Sequence, residues 1–311
     1  MSSLHQTVLL QEAIEALVTR PSGTYVDGTF GRGGHSRLML AKLDEQARVI
    51  ALDKDPQAAL EATQLAMSEP RFEFFHSSFA DLPLRLREIG VSEVDGILLD
   101  LGVSSPQLDE GARGFSFTLD GPLDMRMDTT RGETAAQWLS HAQADEIASV
   151  LRDYGEERFA KRIAAAIVVA REHQALESTA QLAKIVSEAN PKWERHKHPA
   201  TRAFQAIRIK VNQELDELKE LLAHVLDLMR VGGRLVVISF HSLEDRVVKR
   251  YMRDMARGEQ FPAGVPVKEQ DLHRRLRLVG KAVRASVEEV SDNVRSRSAI
   301  MRVAEKDWLN S

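Results

Sequence analysis

Tyr25-Val26-Asp27-Gly28-Thr29-Phe30-Gly31-Arg32-Gly33-Gly34-His35 decides the fold class of this 311-residue chain: an apolar strand ends abruptly in a polar turn holding four glycines. Such turns stand at the carboxyl ends of parallel strands, where open α/β sheets bind ligands and glycine lets the backbone approach a cofactor. Ile97-Leu98-Leu99-Asp100-Leu101-Gly102-Val103-Ser104-Ser105-Pro106-Gln107 has the same character. Around these turns, residues 24–103 alternate strand and helix patterns. The order is Tyr25–Gly28, a helix from about Ser36 to Leu43, Arg48–Asp53, a helix from about Pro56, then Phe72–His76 and Val94–Asp100. This is the βαβ rhythm of a parallel sheet.

The rhythm stops between about Gln107 and Asn212, where Ala135–Leu139, Ala144–Leu151, Phe159–Arg171 and Thr179–Ala189 read as helices. It resumes with an amphipathic helix carrying Leu215, Leu218, Leu222, Val225 and Met229, expected to stop at Gly232-Gly233 before a strand Arg234–Phe240. Two β-like pieces near Leu276–Ser286 and Ala299–Ala304 predict a terminal hairpin completing the sheet. The chain therefore reads as an α/β sheet domain in two parts, 1–106 and 214–311, interrupted by an inserted helical domain at 107–213.

With 43% apolar residues this length buries a full core. The longest uncharged apolar stretches, Ile163–Ala170 and Leu235–Phe240, fall far short of the roughly 20 residues that cross a bilayer. No membrane partner is expected, and the opening residues, lacking a basic leader and a long apolar region, predict a cytoplasmic location. Forty-two basic against 46 acidic residues give a net charge of −4, so nucleic-acid binding must come from local basic patches. The absence of cysteine excludes disulfides, thiolate zinc sites, iron–sulfur clusters and cysteine nucleophiles.

The glycine turn has the spacing G-x-x-G-x-G-G, and Asp53 follows Gly33 by 20 residues at the end of the second strand, placed to accept both ribose hydroxyls of a nucleoside cofactor. That geometry serves S-adenosylmethionine and NAD alike, and a purely structural turn remains a third reading. Three features favour the sulfonium cofactor: no helix-capping residue aims at a pyrophosphate, the fourth strand ends in Asp100-Leu101-Gly102-x-Ser104-Ser105-Pro106, and a hairpin closes the chain. Amino-methyltransferases place an acid, amide or serine before proline at that strand end, where acceptors grip an exocyclic NH₂. Asp100, Ser104 and Ser105 are the catalytic candidates; Ser104, Ser105 or nearby carbonyls would hold the amino hydrogens, while Asp100 could instead orient the methionine end of the cofactor. An ordinary strand-to-loop turn is the plainer alternative. Without cysteine or a cluster, methylation of a pyrimidine carbon and radical methylation are excluded, leaving direct transfer to nitrogen or oxygen.

From Lys192 to Lys210 the chain holds six Lys/Arg and one acid, interleaved with Trp193 and Phe204. Cations track phosphates and aromatics stack bases; a solvated helix with both aromatics in the core is the alternative. Lys197, His198, Arg202 and Arg208 are the RNA-binding candidates of this stretch. His196 and His198 lack a nearby third ligand, so no metal is expected. In Ser239-Phe240-His241-Ser242-Leu243-Glu244-Asp245-Arg246, Ser242 with Asp245 predicts a capping box, and His241 at the strand end is a candidate substrate contact or a structural histidine. No nucleophile elbow is present. Arg274, Arg275, Arg277, Lys281, Arg284, Arg295, Arg297 and Arg302 form a second basic region that solubility explains about as well as RNA does.

Together these segments resemble the bacterial 16S ribosomal RNA cytosine-N4 methyltransferase family. The blocks that carry the likeness span nearly the whole chain: His5-x-x-Val8-Leu9-Leu10-x-Glu12, Asp27 to His35, Asp100 to Gln107, Gly121-Pro122-Leu123-Asp124-Met125-Arg126-Met127, Tyr154-Gly155-Glu156-Glu157, His198 to Arg208 and Ser239 to Arg246. The resemblance implies a Rossmann-like class I methyltransferase sheet with S-adenosylmethionine as cofactor. It further implies that Gly33, Gly34 and His35 contact the cofactor, Asp53 holds its ribose, Phe79 lies along its adenine, and Asp100 and Gln107 complete the pocket. The implied target is a cytosine in the decoding region of 16S ribosomal RNA within the small subunit, recognised with the help of the inserted domain. A monomer and a homodimer both remain open. A nicotinamide-dependent oxidoreductase and a non-catalytic RNA-binding assembly factor are the rival functions. Thr7 and Val294 depart from the family pattern, which commonly has proline at both positions.

Overall fold

A computed structural model describes residues 7–192, 198–259 and 272–307. Eight strands are present among them: β1 (Thr24–Asp27), β2 (Arg48–Asp53), β3 (Phe72–His76), β4 (Val94–Asp100), β5 (Met229–Ser239), β6 (Leu276–Leu278), β7 (Val283–Arg284) and β8 (Ile300–Lys306). They form one sheet in the order β3-β2-β1-β4-β5-β8-β6, with β7 also paired to β8. β1 to β5 run parallel; β8 is antiparallel to β5, and β6 and β7 are antiparallel to β8. The chain leaves β1 toward β2 and β3, then returns to the other side of β1 as β4. A topological switch point therefore lies between the carboxyl ends of β1 and β4, the place where open α/β sheets hold ligands.

The central strands are near-continuous apolar runs because helices cover both faces. On one face, helix Leu10–Leu17 packs Ile14 and Leu17 with Tyr25, Val49, Leu98, Val236 and Ile238. On the other, Leu218, Leu222 and Val225 of helix Glu214–Leu228 join Ile97, Leu99, Leu235, Val237 and Val248. Residues Val103–Glu214 form a second compact unit, separate from the sheet unit built by the segments up to Gly102 and from Leu215 onward. Its core gathers Trp138, Leu139, Ile147, Leu151, Ile163, Ile167, Leu182, Val186, Phe204 and Ile207 from helices Ala135–His141, Ala144–Gly155, Ala160–His173, Thr179–Ala189 and Thr201–Asn212.

Two expectations at the return to the sheet change. The glycine pair does not stop the preceding helix: that helix ends at Leu228, and Gly232 and Gly233 lie inside β5, which starts at Met229. Met229 pairs with Val94, yet Arg234 pairs with Gly96, so residues 230–233 are an excursion of the strand. Gly232 takes φ +78°, and a Cβ on Gly233 would come within 2.8 Å of the Arg230 carbonyl oxygen. The closing element is also more than a hairpin, since helix Val287–Asp292 intervenes before β8 and both β6 and β7 pair with that strand.

Candidate cofactor site at the carboxyl ends of the parallel strands

β1, β2 and β4 each end in an aspartate, Asp27, Asp53 and Asp100. Adjacent strands lie about 4.8 Å apart, so the register of the sheet alone gathers three carboxyl groups at the switch point. Asp27 is fully buried. Its Oδ2 accepts from Ser36 Oγ at 2.6 Å and its Oδ1 from the Thr29 amide at 3.2 Å. These bonds favour the charged form, but loss of water dominates and pushes the carboxyl up to about 6, with the nearby Asp53 adding to the rise. Asp53 spends one acceptor site of Oδ2 on the Gly31 amide (2.7 Å) and one of Oδ1 on the Asp55 amide (2.8 Å). Burial holds its carboxyl above the ordinary range as well.

Asp100 is the least satisfied of the three. Its amide donates to Thr29 Oγ1 at 2.6 Å, but its Oδ1 has no hydrogen-bond partner among the described residues. Desolvation, then the charges of Asp27 and Glu244, raise its carboxyl well above the ordinary value. The side chain is nonetheless 22% exposed, so it opens toward solvent. His35 is 4% exposed, with Nδ1 3.8 Å from Asp100 Oδ2 and with Nε2 unpartnered among the described residues. Burial lowers the imidazole to about 4, so it is neutral near pH 7, a hydrogen bond with the Val8 backbone opposing the shift only weakly. The basic residues beside the turn are engaged elsewhere: Arg32 with Gln57 and Glu61, Lys54 with Glu217 at 2.6 Å.

The glycines earn their places through packing. Gly33 takes φ +76° as the residue before helix Gly34–Lys42, and a Cβ there would lie 2.6 Å from the Phe30 ring. A Cβ on Gly34 would run into the Thr7 side chain, and one on Gly28 would come 2.6 Å from Leu99 Cδ2 and 3.2 Å from Phe79 Cβ. Phe79 thus stands beside the β1 turn, at the start of a short 3₁₀ turn, Phe79–Asp81, capped by Ser78. The sheet brings Gly33, Gly34, His35, Asp53, Phe79 and Asp100 to one end. Sequence reasoning passed over Asp27, Ser36 and Thr29; the signal was a carboxylate closing an apolar strand.

Ser104, Ser105 and Gln107 belong to the helical unit. Ser104 precedes the short helix Ser105–Asp109, and the buried Gln107 Oε1 accepts from the Ser104 amide at 2.9 Å, the backward half of a capping box. The cap after β5 differs from expectation: His241, not Ser242, precedes helix Ser242–Arg257, and its partner is Glu244, not Asp245. Glu244 Oε2 accepts from the Phe240 amide at 2.9 Å, and the Glu244 amide donates to His241 Nδ1 at 3.4 Å. Asp245 instead takes Arg302 on both oxygens, at 2.7 and 3.1 Å. Nearby in the second basic region, Arg275 meets Asp227 and Arg277 meets Glu305. The reason is tertiary: β8 beside β5 supplies Asp245 with a cation that the local sequence does not contain.

In the Lys192–Lys210 stretch, Lys197 and Trp193 lie outside the described residues. Phe204 is a core residue at 4% exposure, so it does not stack on a base. Arg208 forms a bidentate pair with Glu214, both bonds 2.8 Å, in a largely buried position. Arg202 donates to the Glu156 carbonyl oxygen at 2.6 Å and thereby fastens the Tyr154–Glu157 turn to helix Thr201–Asn212. His198 is exposed.

A family model described as the MraW methylase family matches residues 2–307. Ribosomal RNA small subunit methyltransferase H of Thioalkalivibrio sulfidiphilus is 57% identical over 305 residues, covering 97% of each chain. The proteins of the same name from Aromatoleum aromaticum and Legionella pneumophila strain Paris are 58% and 55% identical over 303 residues; both matches cover 97% of this chain, with 96% and 98% of theirs.

Proposed function

Since this chain belongs to the MraW methylase family, we propose that it methylates N4 of a cytosine in the decoding region of 16S ribosomal RNA, using S-adenosylmethionine. One observation carries the choice of cofactor. Three aspartates gather at the glycine turn while the adjacent Arg32 and Lys54 are paired with other side chains, a setting that suits a sulfonium better than a pyrophosphate. Family membership likewise favours this cofactor over the nicotinamide alternative. When bound, the cofactor supplies an electrophilic methyl group.

Gly33, Gly34 and His35 form the turn along which the cofactor lies, and Asp53 keeps acceptor sites free for the ribose hydroxyls. Phe79 offers a ring to the adenine. Asp100, whose side chain is partly open to solvent, is the proposed acceptor for a cationic group of the methionine moiety. Ser104 and Ser105 are the proposed acceptors for the cytosine amino hydrogens, with Gln107 holding the Ser104 amide. That nitrogen is a weak nucleophile because its lone pair is delocalised; as its N–C bond to the methyl group forms, the C–S bond of a bound sulfonium would break, leaving a neutral thioether, and the amino proton would pass to water. Alignment of donor and acceptor, worth roughly 7–11 kcal/mol, therefore matters more than a strong base. Lys197, His198 and Arg202 serve RNA, while Arg208 and His241 serve it indirectly, by ordering a helix end and a strand end. The RNA is presented within the small ribosomal subunit, in the cytoplasm.

The test uses purified full-length protein, methyl-labelled cofactor and small subunits lacking the modification, read by nucleoside mass spectrometry. N4-methylcytidine in the decoding region is the expected product. Labelled cofactor bound without transfer would instead favour the assembly-factor reading.

A further inference from the structure

We infer that His198, backed by Phe117, is a stacking shelf for a single nucleobase of the RNA substrate, a subsite of the helical unit distinct from its phosphate contacts. The inference rests on the RNA reading above. The two rings are nearly parallel, 11° apart with centroids at 4.7 Å, and Phe204 meets Phe117 edge-on at 5.6 Å. Phe204 is buried while Phe117 is half-buried and His198 exposed, so the three rings form a column running from the core to the surface. The column ends in an aromatic ring that solvent reaches although one of its faces is covered.

The shelf is held still. The Ala200 amide donates to His198 Nδ1 at 3.2 Å, which leaves the ring proton of the neutral form on Nε2, and the Thr201 amide donates to the His198 carbonyl oxygen at 3.0 Å. On the other side, Ser116 Oγ accepts from the amides of Thr118 and Leu119, both at 3.2 Å, and fixes the loop that carries Phe117. A fixed aromatic plane loses little entropy on binding, and single-stranded RNA is read largely by stacking unpaired bases on such planes, histidine included. A packing role alone would bury the outermost ring; a phosphate contact would not need the ring below it.

The experiment measures binding of a fluorescein-labelled single-stranded RNA spanning the decoding-region cytosine to the full chain at several salt concentrations. It compares wild type with His198→Ala, His198→Phe and Phe117→Leu. Stacking of one base is lost in His198→Ala, weakening affinity about 5- to 150-fold. His198→Phe keeps the plane and stays within about threefold of wild type, and Phe117→Leu weakens binding because the plane loses its backing. The slope of log affinity against log salt is the same for all four, since no phosphate contact is removed. Equal melting temperatures and equal S-adenosylmethionine affinity show the variants folded. The shelf is overturned if His198→Phe binds as poorly as His198→Ala, if His198→Ala flattens the salt slope, or if His198→Ala binds as wild type does. Failure of the wild type itself to bind would instead take down the RNA reading, and the shelf with it.

Discussion

Replacing Asp53 with asparagine separates the two jobs assigned to one carboxylate. In the protein alone, Oδ2 accepts from the Gly31 amide at 2.7 Å and Oδ1 from the Asp55 amide at 2.8 Å. A carboxylate has about four acceptor sites, so two stay free for a ribose diol. Asparagine keeps one oxygen and turns an NH₂ toward one of the two amides. Losing two charge-assisted bonds to hydroxyls, at about 1.5–3 kcal/mol each, predicts a cofactor affinity lower by about 3–6 kcal/mol, or 10²- to 10⁴-fold. Titration calorimetry with S-adenosylmethionine measures it. A second titration with the 2′-deoxyribose analogue closes a double-mutant cycle: the variant should lose much less than the wild type on removal of the hydroxyl. Because burial raises this carboxyl, wild-type affinity should also fall on acidification through its raised value, and more steeply than that of the variant, which keeps only the titration of Asp27 and Asp100. Equal losses of the hydroxyl in both proteins, or affinity unchanged by the substitution, would refute the assignment.

Asp27→Asn tests the buried carboxyl at the end of β1. Its folded value of about 6 lies above the ordinary 3.8, so its contribution is intact below pH 4 and is lost as pH rises through 6, by about 3 kcal/mol in total. Urea unfolding between pH 4 and 8 should show the variant gaining on the wild type over that window; parallel curves would be inconsistent with the burial argument. In the helical unit, Asn212 accepts from the Met127 amide and donates to the Met125 carbonyl oxygen, both at 2.7 Å, across a backbone where Met125 takes φ +62°. Asn212→Ala strands both buried groups and should cost about 2–6 kcal/mol in denaturant unfolding; a loss under about 1 kcal/mol would mean that water replaces the side chain. Combined Lys197→Ala and Arg202→Ala should weaken RNA binding and reduce the salt slope by about 0.7 per phosphate released, with cofactor affinity kept. An unaltered slope would remove both residues from the phosphate contacts.

Much of the site was legible because strand ends are local. An apolar run closing in aspartate marks β1, β2 and β4 without any knowledge of their neighbours, with glycine following at β1 and β4, and the bounds of β2, β3 and β4 match the pattern residue for residue. Capping was less legible. Ser242 with Asp245 and His241 with Glu244 have the same spacing, and the choice depends on Arg302, a residue 57 positions away that claims Asp245. The basic stretch is the clearest divergence. Its composition could not tell Arg208, locked to Glu214, from His198, exposed on Phe117, because each partner comes from another part of the chain.

The sequence by itself determined the alternation of strand and helix, the inserted helical segment, the glycine turn and the exclusion of cysteine chemistry, all properties of residue type and spacing within a few turns of chain. Only the tertiary structure decided that Asp27, Asp53 and Asp100 share one desolvated end of the sheet. Their suppressed ionisation follows first from lost water, with repulsion by Asp53 acting on Asp27 and by Asp27 on Asp100, and that burial does not exist until β1, β2 and β4 lie side by side.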